Sequence, residues 1–191
     1  MMRYQYVGPP EIREEAGAGE PAVPVCHEGE PPAVEPVASG FPGGEPVTYV
    51  VGLDGWLRLA PRRSEHVVLA RGEDVLAAGE MTFDVDGRRV LAVSNQSTGY
   101  CPDPDCWPAV AEALDRLGVG HPGDFTDKLI FRRCPDCGER NVVRDGDFIC
   151  ALCDGELPAW WNFGPPPAAD DFGPSPAAVD FGPSPAAVEE G

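Results

Sequence analysis

The alternation of apolar and polar residues predicts two β-hairpins in the middle of the chain. Residues 47–51 are rich in β-branched side chains, residues 52–55 have the composition of a turn, and residues 56–59 read as the returning strand. Residues 81–85 alternate between apolar and polar side chains, as a half-buried strand does. Residues 86–93 then supply an Asp-Gly turn and a second returning strand. The pattern therefore favours an antiparallel sheet.

One segment has the periodicity of an amphipathic helix. Asp105 is the expected N-cap, Pro108 fits the first turn, and Gly118 is expected to end the helix. The apolar positions follow at spacings of three, four, seven and ten residues, which places them on one helix face: Trp107, Val110, Ala111, Leu114 and Leu117.

Three shorter segments complete the predicted fold. Residues 64–69 are apolar and short, so the pattern leaves helix and strand open. Residues 128–132 read as a strand that leads into a cysteine-rich region. Residues 157–163 are expected to close the fold, with the two tryptophans at 160–161 packing back onto it.

The cysteine-rich region carries the most specific motif of the chain. Residues 141–143 and 148–150 are strand-like and flank turn-forming residues 144–147, so a hairpin is expected to bring two C-x2-C pairs together. Gly138 and Gly155 follow the two pairs at positions where tight thiolate loops often need positive φ. The predicted metal ligands are Cys134, Cys137, Cys150 and Cys153.

Four thiolates at these spacings suit a tetrahedral zinc site. Such a site is closed: it folds a segment and leaves no coordination position for a substrate. The predicted cofactor is therefore a structural Zn²⁺. The alternative interpretation is a pair of redox dithiols or two disulfides, which explains less well why two equally spaced pairs flank one hairpin.

The ends of the chain differ from its middle. The 191 residues include 23 prolines and 23 glycines, which concentrate outside the centre. Residues 1–46 are expected to be a mostly disordered arm rich in Pro and Glu, with one short strand at 3–7. An α+β domain is predicted over 47–130 and a zinc ribbon with its closing segment over 131–163.

Residues 164–191 contain a nine-residue repeat that starts with Phe-Gly-Pro and has too little apolar surface to pack. We expect a disordered tail. Its repeat is interpreted either as a multivalent linear motif or as a duplication that a chain end tolerates.

Net charge argues against two classes of partner. The chain has a formal charge of −18, and residues 131–156 hold six acids against four arginines. Zinc ribbons that bind nucleic acid usually present a basic face to the phosphates, and anionic membranes also attract basic surfaces. We therefore expect protein partners rather than nucleic acid or membrane. The absence of a long apolar stretch and of an apolar N-terminal segment predicts a cytoplasmic protein.

A second patch could carry chemistry. The polar loop 94–102 precedes the predicted helix, and such strand-terminal loops often hold ligands. Side chains there and upstream could titrate or donate hydrogen bonds if they converge. The structural alternative is that they form local turns and satisfy buried groups. The candidates for catalysis or ligand binding are His66, Glu80, Asn95, Ser97 and Tyr100.

Two further pairs of residues have open roles. The C-x4-C spacing of Cys101 and Cys106 could bind a metal or form a redox pair, but free thiols at the start of a helix are favoured, where a lowered pKa would make them sensitive to oxidation. Cys26-His27 is interpreted as an incidental pair rather than a ligand pair.

Residues 66–117 resemble a segment of plant IQ-motif-containing calmodulin-binding proteins and of bacterial effector or toxin-like domains. The shared features are His66, an Ala-Gly step at 78–79, and Ser97-Thr98-Gly99-Tyr100-Cys101-Pro102 before a helix. Val67-Val68 replaces two serines of that pattern, and Gly99 replaces a histidine. The whole chain also resembles uncharacterised actinobacterial proteins that join this segment to a zinc ribbon. The resemblance implies a small α+β fold. Because similar segments occur in toxin-like proteins, it also makes ADP-ribosyl transfer a candidate reaction.

The favoured function is a protein-interaction or regulatory module with structural zinc. The alternative is an enzyme or effector-like domain with a site around loop 94–102. A further alternative is an immunity or antitoxin-type protein whose acidic charge complements a basic toxin.

Overall fold

The chain folds into a four-stranded antiparallel sheet and a separate two-stranded ribbon. The structure is a computed structural model, and it describes residues 2–18 and 44–164. Its elements are α1 (Pro10–Ala18), β1 (Pro46–Gly52), β2 (Leu57–Pro61), α2 (His66–Leu69), β3 (Val75–Phe83), β4 (Val90–Val93), a 3₁₀ turn (Pro104–Cys106), α3 (Trp107–Arg116), β5 (Ile130–Arg133) and β6 (Arg140–Val143). The predicted α+β class, with one main helix and a cysteine cluster, is confirmed. Within the two described ranges no helix has the length and apolarity needed to cross a membrane.

The sheet has the strand order β2-β1-β3-β4, so β1 and β3 are central. Residues 47–51 of β1 are all buried. Side chains along a strand point alternately to opposite faces, so both faces of β1 are covered. The helix α3 packs against β1, β2 and β3, and α2 packs against β1 and β2. The largest fully buried side chains include Tyr4, Tyr49, Tyr100, Phe83 and Leu57.

The predicted second hairpin is present, and its first strand is longer than the alternation indicated. The strand β3 already begins at Val75 and pairs with β4. Asp84 Oδ1 accepts hydrogen bonds from the backbone N–H groups of Arg88 (2.9 Å) and Arg89 (3.2 Å), which closes the turn. Gly87 has φ +64°, as an Asp-Gly turn requires.

The predicted main helix is confirmed, but its cap is not Asp105. The carboxylate of Asp103 accepts from the N–H of Asp105 at 3.2 Å and caps the 3₁₀ turn that leads into α3. The two-residue shift arises because the chain first makes this tighter turn. At the other end Gly118 adopts φ +66°, so the predicted stop is correct.

The N-terminal segment belongs to the fold, which corrects part of the predicted arm. Tyr4 is fully buried and exchanges two backbone hydrogen bonds (2.8 and 3.0 Å) with Val75 as an isolated bridge rather than a strand. Residues 10–18, expected to be disordered, form α1. Arg13 Nε donates to Gly72 O at 2.8 Å and ties this helix to the turn before β3. The rest of the arm, including Cys26-His27, and the repeats from 165 onward lie outside the described residues.

We expect that replacing Gly79 by alanine destabilises the sheet. Gly79 lies opposite Tyr49, and a Cβ there would collide with the carbonyl of Ser94. The expected loss is about 1–3 kcal/mol of unfolding free energy, the range for overpacked sites, measured by urea unfolding.

The control is Gly120→Ala, whose Cβ would meet the Arg89 side chain at an ordinary 3.6 Å. Equal stability of the two variants would contradict the proposed close approach at Gly79.

Candidate metal centre

Each C-x2-C pair lies in the loop of its own hairpin. The pair Cys134–Cys137 follows β5, which pairs in antiparallel register with β6. The second pair lies between Ile149 and Glu156, which form an antiparallel bridge. The predicted turn at 144–147 is present, with Asp147 N–H donating to Arg144 O at 2.8 Å. The predicted hairpin of residues 141–143 and 148–150 extends no further than the Arg144–Asp147 bridge, because β6 pairs with β5 and residues 148–150 pair with 155–157.

The four sulfur atoms converge on one point. All four Sγ atoms lie within 4.8 Å of one another. Cys134 Sγ is 3.5 Å from Cys153 Sγ, and Cys137 Sγ is 3.6 Å from Cys150 Sγ. Metal–sulfur bonds of about 2.3 Å in a tetrahedron place neighbouring sulfurs about 3.8 Å apart. The four cysteines are free, so they form no disulfide and could hold one metal ion.

The two loops provide different environments for their thiols. Cys134 and Cys150 are buried in a small core with Val143 and Leu157, whereas Cys137 and Cys153 are exposed. The backbone N–H of Leu152 lies 3.5 Å from Cys150 Sγ and is the largest of several contacts that lower the pKa of that thiol. A lowered pKa favours the thiolate, which is the state that binds a metal.

Asn141, which sequence reasoning missed, supports the same sulfur. Its Nδ2 lies 3.5 Å from Cys150 Sγ, and its Oδ1 accepts from the Ala151 N–H at 3.0 Å. A side chain that holds both a ligand and the ligand's loop is typical of the shell around a metal site. The sequence points to Asn141 only through its position shortly after the first C-x2-C pair.

The glycine prediction is correct for one loop only. Gly138 has φ +77°, but in the second loop Asp154 takes the left-handed conformation, with φ +58°. Gly155 has another reason to be small. A Cβ there would collide with the Asp136 carboxylate and come within 3.4 Å of Cys153 Sγ. Gly155 therefore lets the two loops approach each other.

The ribbon is joined to the sheet domain through Arg132, another residue that the sequence analysis did not single out. Arg132 is 6% exposed. Its guanidinium pairs with Asp103 Oδ2 at 3.1 Å and donates to the carbonyls of Pro158 (3.1 Å) and Ala159 (2.9 Å). One side chain thus connects the start of α3, strand β5 and the closing segment.

The closing segment is fixed by two further contacts. The Asn162 amide exchanges hydrogen bonds of 2.8 and 2.7 Å with the backbone of Arg133. Trp161 donates from Nε1 to Cys101 O at 2.7 Å and stacks edge-on against Tyr4. The predicted packing is therefore observed for Trp161, while Trp160 is 52% exposed.

Three of the five candidates in and near loop 94–102 make hydrogen bonds to backbone groups elsewhere in the fold. Asn95 is fully buried: its Nδ2 donates to the carbonyls of Pro102 (2.8 Å) and Leu129 (2.7 Å), and its Oδ1 accepts from the Leu129 N–H. Tyr100 OH donates to Glu73 O at 2.7 Å, and His66 Nε2 lies 3.0 Å from Gly79 O. Glu73 and Gly79 are six residues apart on an extended segment, so Tyr100 and His66 contact different parts of the fold.

The other two candidates also lie apart. Glu80 is partly exposed, with a carboxylate oxygen 4.0 Å from Arg62 Nε. Ser97 is buried, and among the described residues its hydroxyl has no hydrogen-bond partner. A ligand or catalytic site at this loop stays a prediction.

The thiols at the start of the helix are free, as predicted, but buried. Burial raises the pKa of Cys101 to about 12, and it raises that of Cys106 further. The predicted lowering of their pKa is therefore wrong, and the oxidation sensitivity derived from it stays a prediction. The helix terminus does not outweigh the loss of hydration.

Comparisons with known proteins find nothing similar: no family model, no curated protein and no solved structure matches the chain. The resemblances of residues 66–117 and of the whole chain stay predictions.

We expect His66 to make stability depend on pH. Because Gly79 O can only accept, Nε2 carries the proton, and the ring is neutral when Nδ1 carries none. Burial lowers the pKa of His66 below its usual 6.5. The unfolded chain thus binds more protons below pH 6.5, and stability falls as pH drops from there towards the folded-state pKa.

The measurement is urea unfolding of metal-loaded wild type and His66→Gln between pH 5 and 8. The advantage of the wild type should shrink on acidification by no more than about 1.4 kcal/mol per pH unit. Taking the difference removes the pH dependence of metal binding, which both proteins share. A constant difference across this range would contradict the assignment.

Proposed function

We propose that this protein is a zinc-binding protein-interaction or regulatory module in which zinc is structural. The observation that carries the proposal is the convergence of four cysteine sulfurs within 4.8 Å. Four thiolates complete a tetrahedral shell, so the ion would have no open position for a substrate. Its role would be to hold two hairpin loops together. Zinc suits an all-sulfur tetrahedral site and has no redox chemistry.

The surface of the ribbon supports a role in protein contacts. Several large apolar side chains of this small unit are exposed: Val142, Ile149, Leu152 and Trp160. Exposed apolar side chains on a unit this small favour contacts with another protein. The acidic balance of residues 131–156 argues against a phosphate backbone as the partner.

The first test is native mass spectrometry with elemental analysis on protein purified gently from its own host. We expect one zinc ion per chain that strong chelation removes, together with a retained protein partner. Cys134→Ser should lose the metal, whereas Cys106→Ala, which alters a buried thiol outside the cluster, should keep it.

Iron instead of zinc would contradict the metal assignment, since four thiolates also accept iron. A retained small molecule without a protein partner would favour the alternative of an enzyme with a site at loop 94–102.

A further inference from the structure

A groove of about 760 Å³ lies beside the metal centre. It is lined by the two residues between the cysteines of the first C-x2-C pair and by the closing segment. Its volume lies within the range of ordinary binding clefts. The lining residues are Pro135, Asp136, Glu156 to Trp160 and Asn162. We infer that this groove binds an extended, arginine-bearing segment of a partner protein. The inference rests on the proposed function and names the chemistry of the partner.

The walls of the groove are held in place before any partner arrives. Arg132 binds the carbonyls of Pro158 and Ala159 from the protein interior, and the backbone of Arg133 holds the Asn162 amide. The proline rings also restrict the backbone. A groove with fixed walls binds a flexible segment at a lower entropic cost than one that must form on binding.

The charges around the groove are of one sign. Among the described residues that line it, the ionisable side chains are the carboxylates of Asp136 and Glu156, and none is basic. The Asp136 carboxylate lies against Gly155, close to Cys153. One divalent ion with four thiolates would add a net charge of about −2. Arg132 does not offset this charge, because it is buried and already paired with Asp103.

The apolar part of the groove favours arginine over other cations. Trp160 exposes about half of its surface and lies in the same lining as the two carboxylates. A guanidinium can stack on an indole face while its N–H groups pair with a carboxylate in a planar fork. An ammonium group makes the second contact less specifically. The juxtaposition of indole and carboxylates therefore selects arginine.

The site would also depend on the metal. Pro135 and Asp136 lie between the two cysteines of the first C-x2-C pair, both of which are predicted metal ligands. Releasing the metal would free that wall of the groove. By thermodynamic reciprocity, a partner that requires the metal-loaded groove must also tighten metal binding.

The test is NMR titration of the full, metal-loaded chain with a short synthetic peptide, Gly-Ser-Arg-Gly-Ser-Arg-Gly. We expect shifts at Asp136, Glu156 and the Trp160 indole, and a weaker response to the same peptide with lysine. Replacing arginine by citrulline, which keeps the shape but removes the charge, should abolish binding.

Variants assign the binding to the groove. Trp160→Ala and the double variant Asp136→Asn/Glu156→Gln should each weaken binding about fivefold, the scale of an exposed cation–π contact. Trp160→Phe should retain most of it. The matched control is Asp154→Asn, which removes a carboxylate of the second loop that does not line the groove. Asparagine also tolerates the left-handed backbone there. Metal content of every variant is checked first.

Unchanged affinity in the groove variants, or tight binding of the citrulline peptide, would overturn the inference. Binding that appears only after residues 165–191 are deleted would also overturn it, because the groove would then accept the chain's own tail. A captured protein that cross-links away from Trp160 would refute the groove and leave the proposed function intact. A chain without any protein partner would refute the proposed function itself.

Discussion

The ribbon brings four cysteine sulfurs close enough together to hold one metal ion. Within 4.8 Å of one another, these groups would repel strongly if all four were thiolates. A pair of unit charges 4 Å apart costs about 4 kcal/mol at the effective dielectric of a protein surface. A divalent ion bound there, as we propose, would turn that repulsion into an attraction between the ion and each sulfur. The ribbon's own core is small, comprising two of those cysteines with Val143 and Leu157, so it offers little to replace the metal.

The same centre has consequences beyond the ribbon. The sheet domain has its own extensive core, which includes Tyr4, Tyr49 and Leu114. Between the two units lie the buried Arg132–Asp103 pair and the Trp161 hydrogen bond to Cys101 O. These contacts position the closing segment, and the closing segment forms part of the groove. Removing one member of a buried ion pair leaves an uncompensated charge. The ribbon, the closing segment and the groove are therefore physically linked, while the sheet has a core of its own.

Local patterns predicted what local interactions decide. The Asp-Gly turn before β4 and the helix α3 depend on neighbours within about ten residues, and both are observed, with Ala109 and Ala113 buried beside the predicted Val110 and Leu114. The cysteine spacings likewise predicted the cluster, because two C-x2-C pairs on either side of a turn can place four sulfurs around one metal ion.

Contacts distant in sequence escaped prediction. The helix α1 begins at the second of two prolines that favoured an extended arm, and it is held by an Arg13 contact to Gly72, 59 residues away. The residues of β5 and β6 do not themselves indicate that these two strands pair with each other. The role of Arg132 depends on Asp103, 29 residues earlier, and on carbonyls 26 and 27 residues later.

The central claim is that a metal ion holds the ribbon and, through it, the closing segment. Hydrogen–deuterium exchange of the full chain, metal-loaded and then chelated, tests it most directly. We predict that amides of residues 130–163 lose protection on chelation while those of β1 and β3 keep it, because the two cores are separate. Unchanged protection across residues 130–163, or simultaneous loss in β1, would contradict the account.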